Sequence, residues 1–310
     1  LKFMTALSNS QSVGKISSKM LEKPIFIIGA PRSGNTWLGR VIENHESVVC
    51  WEENNNIWTW GNTHKPDDVL TEKDVTPKIK NYLREQFDLY LTKHSGNRVC
   101  DKTPRNCLKI PFIHKIFPDA KFVMLLRDGR SVINSTRKEL HRGEKNPFYV
   151  TLKSQIVEAY RRLQRISVWE WYTYLPSLKS RIKKVLGMRL DYWGVRPPGW
   201  KEWINHDPEH ILLAKQWAAA IAISTEFGRS LPPEKYLEVR YEDLMTSPQT
   251  EILRVADFLE LEDPGALVKC AVESADSSRI YKWKHEIEIE RLNEVQHIIE
   301  PVMQKLGYTW

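Results

Sequence analysis

The sequence predicts an α/β chain: three layers, with a mainly parallel central sheet flanked by helices. Three observations carry this. Short apolar runs, Ile25–Ile28 and Lys121–Leu126 above all, have the length and β-branched content of strands buried on both faces. Each is followed by apolar residues at helical spacing, and such strand–helix alternation favours a parallel sheet covered on both sides. Between the first run and its helix lies a turn with two glycines and a proline, 29–34.

That first unit is a P-loop-like strand, turn and helix. Its loop reads Gly29-Ala30-Pro31-Arg32-Ser33-Gly34-Asn35-Thr36-Trp37, and a helix follows through Ile42. Such a loop aims backbone N–H groups and a helix N-terminus at one point, which suits a phosphate. The spacing of Gly29, Gly34 and Thr36 fits G-x-x-x-x-G-K-[ST] except that Asn35 stands where a triphosphatase has lysine. A loop that grips a phosphate without that lysine suits a different nucleotide. The alternative is a tight strand-to-helix turn with no ligand.

In chain order, residues 1–22 read as a loose polar arm, and 23–310 as a single domain. Val48–Trp51 is a short strand with Glu52 and Glu53 at its C-terminal end, where open parallel sheets bind ligands. A helical pattern covers 71–94. Arg98–Lys102 is a strand running into Thr103-Pro104, with helix signals through Ile116. The strand 121–126 ends in Arg127-Asp128-Gly129-Arg130 and enters a helix containing Ser135. A triphosphatase usually places an acid there for Mg²⁺. Here Arg127 comes first, and with Ser135 it makes a clamp for a second phosphate; Asp128 keeps a metal open. Residues 143–210, rich in Trp and Tyr, read as an acceptor-side insertion over the sheet. A helix at 212–227, a strand at 236–241 and helices at 249–259 and 286–306 complete the chain.

Composition narrows the partners. The formal net charge is +7 over 310 residues, with pI near 9.1, which favours anionic ligands. No long basic run singles out nucleic acid. No segment reaches the length of a membrane span, and residues 1–23 show no secretory signal. The one N-x-[ST] sequon, Asn134-Ser135-Thr136, falls in the proposed ligand-binding helix. These features favour a cytoplasmic protein. Four cysteines without a C-x-x-C make a zinc site unexpected. A homodimer is compatible with all of this.

On these residues the chain resembles the sulfotransferases that use 3′-phosphoadenosine 5′-phosphosulfate (PAPS), over about 24–142 and again over about 212–285. The loop 29–37 looks like the family's 5′-phosphosulfate loop in its Pro-Arg-Ser-Gly version. Phe117–Phe122 through Arg127–Arg130 to Ser135 looks like the 3′-phosphate element, and Val239–Leu244 followed by Pro248 is a habitual segment. Cys50-Trp51-Glu52-Glu53 and Cys100-Asp101-Lys102-Thr103-Pro104 are most similar to tyrosylprotein sulfotransferases.

The resemblance implies a PAPS donor, PAP as product, no metal, and transfer to a hydroxyl or amine of a small molecule, glycan or tyrosine. It implies Glu53 as base and Lys102 and Arg32 as catalytic cations. Arg32, Ser33, Gly34, Asn35, Thr36 and Trp37 would hold the 5′ side, Arg127 and Ser135 the 3′-phosphate, and Tyr241, Ser278 and Lys282 further parts of the donor. Glu52 is the second choice of base, and His45, His64, His94, His114 and His141 are others. Cys50 and Cys100 occupy positions disulfide-bonded in that subfamily, which would favour a Golgi lumen; two reduced buried thiols are the alternative. The chain departs from the pattern at Asn35, Trp51 and Asn55. Two other classes remain for comparison: a P-loop kinase or nucleotide hydrolase, and a non-catalytic binder of anionic ligands.

Overall fold

The computed structural model describes residues 21–94, 96–141 and 194–310. Most of the expected arm at 1–22 and the expected insertion up to residue 193 therefore lie outside the described residues.

Five parallel strands form one sheet: β1 (Ile25–Gly29), β2 (Val48–Glu52), β3 (Arg98–Lys102), β4 (Lys121–Leu126) and β5 (Tyr236–Arg240), in the spatial order β2-β3-β1-β4-β5. β1 is central, with Ile25 opposite both Cys100 and Lys121. Because all pairings are parallel, the C-terminal ends of the strands share one edge. That edge, at the point where strand order reverses, is where such sheets bind ligands.

Period-2 alternation divides β1 between two cores. Phe26 and Ile28 face one cluster with Phe87, Phe112, Phe122 and Trp217. Ile25 and Ile27 face the other, with Leu38, Val41, Val123 and Ile252. All four β1 side chains are fully buried, each contributing about 1.5–3 kcal/mol by area removed from water. Helices α1 (Asn35–Ile42), α2 (Asn55–Thr59), α3 (Pro77–Lys93), α4 (Ile110–Ile116) and α5 (Gly129–Leu140) follow the first four strands.

Three expected helices differ in their bounds. The pattern at 71–94 is two elements, a 3₁₀ turn at Glu72–Asp74 and then α3. Pro77 is the cause, since it disfavours helical backbone at the residue before it and suits the first turn of a new helix. Thr76 caps that turn, accepting from Ile79 N at 3.2 Å. The signals after Pro104 resolve into a 3₁₀ helix, Pro104–Lys109, running into α4. The last helix is broken at extended Glu288, giving Trp283–Glu286 and Ile289–Lys305. Cys50 and Cys100 are register partners on β2 and β3, and both are free thiols. Among the described residues no helix is long and apolar enough to cross a membrane.

Candidate active site

A cleft of about 700 Å³ opens at the C-terminal edge of the sheet. The β1–α1 loop forms its floor. Gly29 has φ +154°, and a Cβ there would stand 2.6 Å from Leu125 O, so only glycine lets the chain leave the sheet beside β4. Ser33 N closes the turn onto Ala30 O at 3.1 Å. Helix α1 then starts with no side chain capping it. Its first-turn N–H groups, together with the positive end of the helix dipole, face the cleft at Gly34, Asn35 and Thr36.

Two of the expected loop side chains turn away from that cleft. Asn35 is 3% exposed, and its Nδ2 donates to Ala30 O at 3.0 Å. Where a triphosphatase sends a lysine outward, this residue braces the turn from inside, and only its backbone is offered to a ligand. Ser33 is fully buried, and its hydroxyl has no hydrogen-bond partner.

Lys102 joins the loop to the strand ends. Its Nζ lies 3.2 Å from Thr36 Oγ1 and 3.2 Å from Glu53 Oε1, with Glu52 Oε1 farther away at 3.8 Å. The ammonium is taken out of water (1% exposed), whereas Glu53 is 60% exposed and lines the cleft. Glu53 has left the strand with φ +49°, held by its N–H on Lys102 O at 3.0 Å. Positive φ at a glutamate is a sparsely populated conformation that persists when its surroundings enforce it.

The second expected clamp is tied to the first. Arg127 Nη1 donates to Arg32 O at 2.8 Å and Nη2 to Arg279 O at 3.3 Å, and the guanidinium lies 4.1 Å over the Tyr241 ring. Its Nε is buried without a partner. Burial pushes the Arg127 guanidinium below its ordinary pKa; burial pushes Tyr241 up, against the pull of Arg127. Arg32 is turned toward Ser135, with Nε donating to Oγ at 2.9 Å. Thr36, not Arg32, is the loop residue in contact with Lys102.

Asp128 has another employment. It caps α5, accepting from Arg130 N at 2.8 Å and from Arg130 Nη2 at 2.7 Å. Among the described residues no group of three or more His, Cys, Asp or Glu is placed to hold a metal. Trp37, whose Nε1 donates to Ser274 Oγ at 3.0 Å, and Lys282 line the cleft as expected. Ser278 does not; its hydroxyl donates to Asp276 Oδ1 at 2.5 Å. None of the five histidines named above lines the cleft. His45, for example, is taken by Glu262 O and Ser47.

Sequence reasoning passed over Arg105, Asn134, Lys138, Arg279 and Glu286, which also line the cleft. A signal existed for two of them. Ser131, Asn134, Ser135 and Lys138 fall at i, i+3, i+4 and i+7, one polar stripe on α5.

With this geometry in view, comparisons with known proteins agree on one family. A model described as "Sulfotransferase family" matches residues 24–183 and 180–265. Protein-tyrosine sulfotransferase A of Caenorhabditis elegans is 23% identical over 247 residues, covering 76% of this chain and 50% of that protein. Protein-tyrosine sulfotransferase 1 of Danio rerio is 33% identical over 121 residues, 36% of this chain and 34% of that one. The chain thus spans half or less of the length of these relatives. Among solved structures, the sulfotransferase domain from the curacin biosynthetic pathway superposes with a TM-score of 0.52 at 19% identity, covering 93% of this chain and 99% of that chain. The sulfotransferase domain from the Synechococcus PCC 7002 olefin synthase gives 0.50 at 17%, covering 97% and 100%. At such identities the structural likeness is one of fold.

Proposed function

We propose a reaction and a donor from one premise: the chain belongs to the sulfotransferase family. It moves a sulfuryl group from PAPS to a hydroxyl or amine acceptor, with Glu53 as base. One observation carries the reading. A single buried ammonium, Lys102, bridges the anion-binding loop at Thr36 and the exposed carboxylate of Glu53. Cation, loop and base are thereby assembled around one point.

The residues fit the proposed donor. The uncapped start of α1, with Asn35 turned inward, cradles a single 5′-phosphate through backbone N–H groups. Arg127, with Ser135 and Arg32 beside it, is a second cationic site at the end of β4, tied to the loop through Arg32 O, and its buried unpartnered Nε is an orphan donor. Two such sites match a nucleotide bearing phosphates at both its 3′ and 5′ positions. When bound, the donor supplies an activated sulfuryl group on its 5′-phosphate. Glu53 takes the acceptor proton, and as base contributes about 10²–10⁴-fold. Lys102 and the α1 N–H groups meet the negative charge that grows on the departing phosphate oxygen. β5 and the C-terminal helices bring Tyr241, Arg279 and Lys282 to the same cleft as the β1 loop, which supports reading 23–310 as one domain.

Tyrosine is the acceptor named for the curated relatives, and a tyrosine peptide is the first acceptor to test. Asn55 lines the acceptor side of the cleft here, where the similar subfamily has arginine, so small phenols belong in the same panel. The deciding experiment is calorimetric titration with adenosine 3′,5′-bisphosphate against ADP and against ATP with Mg²⁺. Tight binding of the bisphosphate alone is expected; preference for ATP with Mg²⁺ overturns the donor assignment. Glu53→Gln is expected to abolish turnover while leaving bisphosphate affinity within about twofold, and loss of binding instead removes Glu53 from its role.

A further inference from the structure

Asp101 stands next to Lys102 on β3, but strand alternation sends its side chain to the opposite face of the sheet. There it is fully buried, beside Trp58, which packs edge-on against Phe26 and Phe87 at 5.7 and 5.6 Å. Burial pushes its carboxyl up to about 6, against the hydrogen bonds it receives. A carboxylate in such surroundings is costly unless its oxygens are satisfied. Each oxygen has its own donor: Trp58 Nε1 at 3.1 Å on Oδ2, and Asn106 Nδ2 at 3.0 Å on Oδ1.

The two donors come from the two segments that flank Lys102 at the cleft. Trp58 lies on α2, which begins two residues after Glu53 and brings Asn55 to the cleft. Asn106 lies on the 3₁₀ helix Pro104–Lys109, which begins two residues after Lys102 and brings Pro104 and Arg105 there. Neither segment holds itself. α2 has five residues and no side-chain cap, and the 3₁₀ helix has six and none; helices this short depend on tertiary anchors. The strained Glu53 backbone is pinned on one side by Lys102 O and on the other by α2.

We propose that Asp101 is a positioning residue for sulfuryl transfer: from behind the sheet it ties α2 and the 3₁₀ helix to β3, and so holds Glu53 and Arg105 in register with Lys102. The proposal rests on the reading of Glu53 and Lys102 as base and cation. It makes the acceptor side of the cleft depend on a carboxylate that touches neither substrate, while the donor side rests on the loop N–H groups and α1, which Asp101 does not bond.

The test uses the full chain with Asp101→Leu, which keeps the branching at Cγ and removes both bonds, and Asp101→Asn, which keeps the shape. In the Asn variant the new amide accepts from Trp58, and Asn106 can turn its oxygen toward the amide hydrogens. Amide hydrogen exchange read by mass spectrometry reports the anchor directly. In Asp101→Leu, peptides covering 53–59 and 103–109 are expected to exchange at least tenfold faster, with α1 unchanged. Adenosine 3′,5′-bisphosphate affinity is expected to stay within about twofold. Turnover of a tyrosine peptide or 4-nitrophenol is expected to fall about 10²-fold, the scale of a misplaced reacting group. Asp101→Asn is expected to restore most of both.

Unchanged exchange in Asp101→Leu overturns the proposal, as does equal loss of donor affinity and turnover, or an Asn variant as damaged as the Leu one. If Asp101→Leu does not fold, Trp58→Phe and Asn106→Ala each remove one tether; each is expected to loosen its own segment alone, and no loosening in either refutes the anchor. A wild-type protein that binds the bisphosphate but transfers to none of these acceptors counts against the reaction assigned to the site, whereas the exchange readout still decides the anchor.

Discussion

Replacing Gly34 by alanine perturbs the site at a place where the magnitude can be worked out. Gly34 caps α1 with φ +101°, and a Cβ added there would lie 2.6 Å from Tyr241 Cδ2. The left-handed backbone costs an L-residue about 1–2 kcal/mol. The overlap adds about 1–3 kcal/mol, the usual range for overpacking. Tyr241 cannot retreat freely, because Arg127 is stacked on it at 4.1 Å and Arg127 in turn holds Arg32 O. The strain therefore spreads into both proposed phosphate sites. The sum, about 2–5 kcal/mol, is divided between folding and binding. We expect a melting temperature lower by about 5 °C or more and affinity for adenosine 3′,5′-bisphosphate weaker by at least about tenfold. Gly265→Ala is the matched control, since nothing lies within 4 Å of its added Cβ; it should be neutral or slightly stabilising. A Gly34→Ala protein with wild-type melting and wild-type bisphosphate affinity would refute the assignment of this loop as a strained phosphate cradle.

Further outcomes follow from single contacts. Arg127→Ala should weaken adenosine 3′,5′-bisphosphate by about 10- to 100-fold, as expected for lost charged hydrogen bonds, and adenosine 5′-monophosphate by much less; equal losses would place Arg127 at the wrong phosphate. Asp68 is buried, and burial pushes it up, but Lys109, Arg105 and Arg196 outweigh that and hold its carboxyl at about 2. Its folded pKa thus lies below the unfolded value of 3.8. The stability it contributes is present above about pH 4, is lost as pH falls toward 2, and amounts to about 2 kcal/mol. Urea midpoints of wild type and Arg196→Ala, measured at pH 7 and pH 3, should converge toward the lower pH, and a constant gap would contradict this. Thr36→Val, which removes one partner of Lys102 without disturbing the loop backbone, should lower kcat about tenfold; an unchanged kcat would mean that Lys102 is held by Glu53 alone.

The elements that sequence alone made legible are those whose cause is local. β1 and β4 are continuous apolar runs, the loop is marked by its glycines, and Arg127 stands directly after a strand whose end must face the ligand edge. Glu53 was legible for the same reason. What was hidden depends on partners far away in the chain. Nothing near Arg127 says that its guanidinium will hold the carbonyls of Arg32 and Arg279, 95 and 152 residues away. Arg32 meets Ser135 across 103 residues. The break at Glu288 has neither glycine nor proline to announce it, whereas Pro77 announced the break before α3. Arg105 and Arg279 enter the cleft only because segments without strong patterns pack against strand ends.

The double attachment of Arg127 has a consequence for how this protein weighs its ligand. The same guanidinium that is proposed to meet the 3′-phosphate holds the carbonyl of Arg32 in the loop proposed to meet the 5′-phosphate. Occupation of either end therefore alters the stiffness felt by the other, and the coupling is reciprocal. Fragments carrying one phosphate each will not add up to the whole: the bisphosphate should bind with a free energy different from the sum of its halves, and the difference should vanish when the link from position 127 to the loop is cut. On the proposed donor reading, the nucleotide would be recognised as one object, by its length as much as by its charges.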